Sequence, residues 1–194
     1  MNRWRHIGLI TWATLLALGV GLGSAYLLVG QTEPLGSVRV GAWRAWPDAA
    51  AADANPYSRA MVARTGTLPL AQGEGFEFFA VDDSGGRALS GTCLYRIAGP
   101  ISTTRIWTLV AYDAAGRLMA NAAGRSFITS RLVTRGHDGE AEIVVSAAPM
   151  PGNWLPLATE GRFMLALRLY DTSLSMGDAI RDMKLPTITA EACP

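Results

Sequence analysis

Histidine is almost absent from this sequence, and the two copies it has are poorly placed for chemistry. His6 precedes a long apolar run, and His137 lies in the turn-like stretch RGHDGE, so a Ser-His-Asp triad would have to take its base from a loop. Also missing are the G-x-S-x-G elbow, the H-E-x-x-H zinc helix, the Walker phosphate loop and the dinucleotide-binding glycine pattern. Their absence removes the enzyme classes that announce themselves by local sequence. A basic face is lacking too. Setting aside Arg3 and Arg5, the remaining 15 basic residues stand against 16 acidic ones, which excludes the electrostatic footprint of a nucleic-acid binder.

Cysteine is equally scarce. Cys93 and Cys193 have no C-x-x-C spacing, which argues against a thioredoxin-like or zinc role. In an oxidising compartment the pair reads as one disulfide tying the last residues to the middle of the chain, the alternative being two unrelated thiols. Asp82 and Asp83 in VDDSGG lack the spacing of a calcium loop and read as a polar turn. No metal or cofactor is expected.

What is present begins with IGLITWATLLALGVGLGSAYLLV, Ile7 to Val29, 23 residues without a charge. As a helix this run would extend roughly 34 Å, enough to cross a hydrocarbon core of about 30 Å. Arg3 and Arg5 precede it, whereas the next basic residue after it is Arg39, so the positive-inside bias places the N-terminus in the cytoplasm and the bulk of the chain outside. The small-x-small site Gly23 to Ala25 also fits a cleaved leader. The apolar run continues past it through Val29, which favours an uncleaved anchor in the inner membrane, and both readings export the remainder. The expected organisation is therefore a cytoplasmic N-terminus (1–6), a transmembrane helix (7–29), a linker (30–37) and an exported, periplasmic domain (38–194). Contact with the lipid bilayer falls to residues 7–29.

Within that domain, Asn55 and Pro56 have the chemistry of a helix cap and first helical residue, and Gly66 that of a terminator. A short helix is expected between them, packed through Tyr57 and Met61. From Glu74 onward the text changes to strands and turns: EGFEFFAVD, TCLYRIAG, TRIWTLVAYD, EAEIVVSA and RFMLALRLYD. Asp83-x-x-Gly86-Arg87 and Asp113-x-x-Gly116-Arg117 read as hairpin turns. In the last strand Phe163, Leu165, Leu167 and Leu169 form an apolar face opposite Met164, Ala166, Arg168 and Tyr170. TRIWTLVAYD is apolar on both faces and predicts a central strand covered on both sides. The fold class is mainly β, an antiparallel β-sandwich with one short helix.

The candidates for function are strand arginines near aromatics. Arg105 stands two residues before Trp107 and Arg168 two before Tyr170, and Arg59 lies beside the helix. Guanidinium groups so placed can hold a carboxylate, a phosphate or another small anion, or they can pair with acids and pack their stems on the sheet. Trp154, in the rigid connector PGNWLP, is either a further ligand contact or a core plug. The candidate ligand-binding set is Arg105, Trp154, Arg168 and Tyr170.

With these residues laid out, the chain resembles the bacterial domain-of-unknown-function family 1214. The resemblance is carried by ARTGTLPLAQGEGFEFFAVDDSGGRALSGTCLYRIAG, by RIWTLVAYDAAGRL, by PGNWLPLATEGRFMLALRLYDT and by the closing LPTI. The lead-in WPDAAAADANPYSRAMVAR is similar to that of short, membrane-anchored members. The resemblance implies a sandwich of jelly-roll character and supplies no catalytic residues. Longer relatives carry a second domain, of family 1254, where this chain has its apolar run. The reading that follows is a membrane-anchored envelope module for binding or structure, its partner an envelope protein or a small anionic ligand. The alternative is an envelope enzyme, a hydrolase using carboxylates and arginines. That alternative predicts a concave pocket where an acid of raised pKa meets an arginine.

Overall fold

The computed structural model describes residues 2–30, 36–66, 68–71, 73–137, 139–158, 161–172 and 180–193. The linker expected at 30–37 lies largely outside them. Helix α1 (Asn2–Gly30) takes in the whole apolar run and the residues before it. An 18-residue apolar window of it has no buried residue, and the helix is long and apolar enough to cross a membrane.

The other described residues form ten strands and one further helix, α2 (Pro56–Thr65): β1 (Val38–Val40), β2 (Trp43–Ala45), β3 (Gly75–Ala80), β4 (Leu94–Ala98), β5 (Thr104–Asp113), β6 (Phe127–Thr129), β7 (Ile143–Ser146), β8 (Trp154–Pro156), β9 (Phe163–Thr172) and β10 (Thr187–Ala192). They form two sheets, one in the order β1-β2-β3-β9-β5-β6 and the other β10-β4-β7-β8. All neighbours are antiparallel except β7 and β8. This is a mainly β, two-sheet sandwich.

Alternation builds its core. In the cross-strand register Phe76, Leu169 and Trp107 stand in one row and Phe78, Leu167 and Leu109 in the next, all buried. From the second sheet Tyr95, Ile97, Val145, Leu155 and Ile188 complete the same cluster, and the Tyr95 ring meets Phe163 edge-on at 5.7 Å across the two sheets. Burying each such side chain contributes about 1.5–3 kcal/mol. Leu165, Leu167 and Leu169 are the apolar face expected of β9. On β5 only the Trp107, Leu109 and Ala111 face is fully buried; its other face is half-buried apart from Val110. The expectation of cover on both sides is met in part: one face of β5 is fully buried, and the other is covered at Val110 and half-covered at Ile106, Thr108 and Tyr112.

The two Asp-x-x-Gly-Arg turns fold alike. Asp83 Oδ1 accepts from the amides of Gly85 and Arg87, and Asp113 Oδ1 accepts from those of Ala115 and Arg117. Each Asp pairs with the arginine four residues on, and Gly86 and Gly116 take positive φ. Gly75 answers a different demand: at φ +151 a Cβ there would lie 1.9 Å from the Leu169 carbonyl oxygen, so β3 and β9 approach this closely only through glycine.

Helix α2 starts and stops as its sequence dictates, with Asn55 accepting from the Ser58 amide and Gly66 left-handed at the C-terminus. Its buried residue is Ser58 and not Tyr57, which is exposed; the Met61 side chain lies outside the described part. PGNWLP is more than a connector, since residues 154–156 form β8, running parallel to β7. A disulfide joins Cys93 to Cys193, fastening the end of β10 beside the start of its neighbour β4.

Candidate functional site

The three longest neighbouring strands, β3, β9 and β5, set Glu77, Arg168 and Thr108 opposite one another on the face turned away from the core. Arg168 Nη2 lies 2.5 Å from Glu77 Oε1, and Nη1 donates to the Tyr112 hydroxyl at 3.1 Å. The guanidinium also sits 5.8 Å from the centre of the Tyr112 ring. On an open sheet this would be an ordinary surface pair. Here the chain after β2 folds back across the face, and the Glu77 side chain keeps only 8% of its exposure.

Trp46, Pro47, Val62, Pro69 and Leu70 provide that cover and, with Glu77 and Phe79, enclose a small cavity of about 40 Å³. The space holds about three or four waters at about 10–15 Å³ each. Trp46 leans on Phe79 with ring centres 5.7 Å apart, and its buried indole Nε1 has no hydrogen-bond partner among the described residues. Glu77 Oε1 is engaged by Arg168 Nη2 in a close ion pair. One small cavity is therefore lined by an ion-paired carboxylate and by an indole N–H that has no partner among the described residues.

Burial pushes the Glu77 carboxyl above its ordinary value, and the charge and contact of Arg168 oppose this without cancelling it. Burial acts to lower Arg168, yet Glu77 and Tyr112 hold it above its usual value. The site combines a carboxyl whose pKa is raised by burial with a fixed cation beside it.

The four residues expected from sequence do not converge. Arg168 belongs to this site, and Tyr170 stands two positions along the same face, half-buried beside Gly75 and Ile106. Arg105 is at the sheet end in an exposed pair with Asp171 at 3.0 Å. Trp154 is on the other sheet, half-buried, its Nε1 donating to the Ser146 carbonyl at 3.0 Å. Arg125 covers the Trp154 ring at 6.0 Å and donates to its carbonyl. Arg59 donates to the Ala52 carbonyl. Asp82 pairs with Arg44 at 2.8 Å, so its carboxylate, like that of Asp83, is engaged by arginine.

Sequence reasoning passed over Glu77, Tyr112 and Trp46. The available signal was a lone acid alternating with phenylalanines in GFEFFA; an acid on a strand otherwise fit for burial requires a partner.

A family model described as "Protein of unknown function (DUF1214)" matches residues 74–174, about half of the chain. Among solved structures, the chain is similar to the VPA0106 protein from Vibrio parahaemolyticus, at 25% identity with a TM-score of 0.58. That match covers 72% of this chain but 36% of the other, so this chain spans about a third of that protein's length. An uncharacterised protein from Burkholderia cenocepacia matches at 20% identity and a TM-score of 0.42, over 64% of this chain and 30% of that one. No curated protein matches.

Proposed function

The chain belongs to the DUF1214 family, and from that premise we propose a single-pass, membrane-anchored protein whose sandwich lies outside the cytoplasm and binds a small ligand at the Glu77 cavity. The anchor rests on the apolar α1 and the arginines ahead of it; the disulfide suits an oxidising envelope compartment. One observation carries the binding reading: Trp46 Nε1, buried and without a hydrogen-bond partner among the described residues, belongs to the same cavity wall as the Arg168-paired carboxylate of Glu77. A buried polar group left without a partner costs about 1–3 kcal/mol, so a hydroxyl or amide that accepts from Trp46 offsets that cost and can donate to the neighbouring Glu77 carboxylate.

A thermal-shift screen of the smallest alcohols and amides against the wild type, Trp46→Phe and Glu77→Gln tests this. A ligand held at 100 times its Kd stabilises by about 2.7 kcal/mol. That rise in Tm is expected in the wild type and is lost in Trp46→Phe. An unchanged shift in both variants would remove the site from the account.

A carboxyl of raised pKa beside a guanidinium also suits a general acid, which supports a second reading, an envelope hydrolase with Glu77 as the acid. Binding is preferred because the described cavity wall holds no second carboxylate and no nucleophile.

A further inference from the structure

At one end of the sandwich the turn between β1 and β2, the loop at Ser84 and the segment leading into β10 leave a cleft of about 410 Å³. This falls within the usual size of small-molecule sites, about 300–1,000 Å³. It shares no lining residue with the Glu77 cavity. Its floor is apolar: Trp43, Ala42 and Met183 are all buried, and the Trp43 indole already donates to the Pro186 carbonyl at 2.7 Å.

The polar side chains lining the cleft are those of Lys184, Ser84 and Thr187, and the Thr187 hydroxyl already donates to the Ala98 carbonyl at 3.0 Å. Lys184 is the chain's single lysine among 17 basic residues. Its backbone is fixed, the amide donating to Ser102 Oγ at 2.8 Å and the carbonyl accepting from the Ser102 amide at 2.9 Å. Among the described residues no carboxylate lies within ion-pair reach of its ammonium. Ser84 is fixed as well: its amide donates to the Ile188 carbonyl at 2.8 Å and its Oγ accepts from the Ile188 amide at 2.9 Å. That arrangement uses the Ser84 oxygen as an acceptor and leaves its hydroxyl proton to be donated. None of the lining residues is acidic. Asp83, next to Ser84 in sequence, is occupied by Arg87 and the turn amides.

We infer that this cleft binds a small organic carboxylate with an apolar or aromatic body, its charge met by Lys184 and the Ser84 hydroxyl and its body laid on the Trp43–Met183 floor. An ammonium on a flexible stem meets a carboxylate as a point charge and adapts to ligands of different length, where an arginine would impose a fork. An apolar floor without charged partners adds affinity to the body of the ligand and none to a bare inorganic anion.

The chain has two primary amines, the N-terminus and Lys184, so an amine-acylating reagent with mass spectrometry reads this site alone. The experiment uses the full chain in lipid nanodiscs with three probes: phenylacetate, its neutral counterpart phenylacetamide, and inorganic phosphate. Phenylacetate at about four times its Kd slows Lys184 acylation about fivefold, leaving the N-terminal amine unaffected; the other two give little protection, and Ser84→Ala weakens the phenylacetate effect. No protection by phenylacetate, protection as strong from phenylacetamide or phosphate, or equal slowing at the N-terminus would each overturn the proposal.

Discussion

Replacing Arg168 with methionine keeps the volume of the side chain and removes its charge, its contact with Glu77 and its bond to Tyr112. The consequence depends on what is left behind. Glu77, at 8% side-chain exposure, loses its counter-charge, and stranding one member of a buried pair costs about 3–5 kcal/mol. Because Arg168 is itself 23% exposed, water can partly replace it, and the low end, about 3 kcal/mol, applies. For a domain of this size that lowers Tm by about 6–12 °C. Glu77→Gln removes the charge together with its burial cost and is expected to cost only about 1 kcal/mol. The double variant Glu77→Leu, Arg168→Met should lie close to the wild type.

The pH dependence gives an independent handle on the same pair. The folded pKa of Glu77 is above its unfolded value of 4.5, so its contribution is complete below 4.5 and is lost as pH rises toward the folded pKa. Without Arg168 the folded pKa rises further and the loss extends over a wider range. Calorimetric unfolding at pH 4.5 and pH 7.5 should therefore show a small gap between wild type and Arg168→Met in acid and a large one near neutrality. A Tm loss of only 1–2 °C (about 0.5 kcal/mol), or a gap of the same size at both pH values, would refute the reasoning.

Two further outcomes follow from the turns and the disulfide. Burial works against ionising Asp83, but hydrogen bonds from Arg87 and Gly85 outweigh it and hold the carboxyl below its ordinary 3.8. Its stabilisation is thus present above pH 3.8 and lost as pH falls below that; Asp83→Asn should cost about 2 kcal/mol at neutral pH and little in acid, measured by denaturant unfolding. Intact mass should increase by two hydrogens on reduction, and Cys93→Ser should cost about 2–4 kcal/mol in the same assay; a free thiol in the purified protein would contradict the bond.

How far the sequence could be read depended on the length over which a signal repeats. The ten-residue β5 and β9 show their period through five alternations, and the capping pair Asn55–Pro56 and the Asp-x-x-Gly-Arg turns act through bonds a few residues away. The three-residue strands β1, β2, β6 and β8 contain too little repeat to be seen, and β8 was masked by the prolines around it. The site was legible only by half. Arg168 stood out as a charge on an apolar strand, but its partner Glu77 is 91 positions away in sequence, joined to it by register between β3 and β9. Arg105 and Trp154, both next to aromatic or proline signals, are held by Asp171 and by Ser146 and Arg125, partners that no local pattern reveals.

The account rests most heavily on a sandwich tethered outside the cytoplasm by α1. Protease added to intact spheroplasts carrying the full chain with an N-terminal epitope measures this directly. The prediction is that the sandwich is degraded without lysis, while a membrane-bound fragment containing the epitope and α1 survives until the bilayer is opened. Protection of the sandwich until lysis, or release of a soluble domain lacking α1, would contradict it.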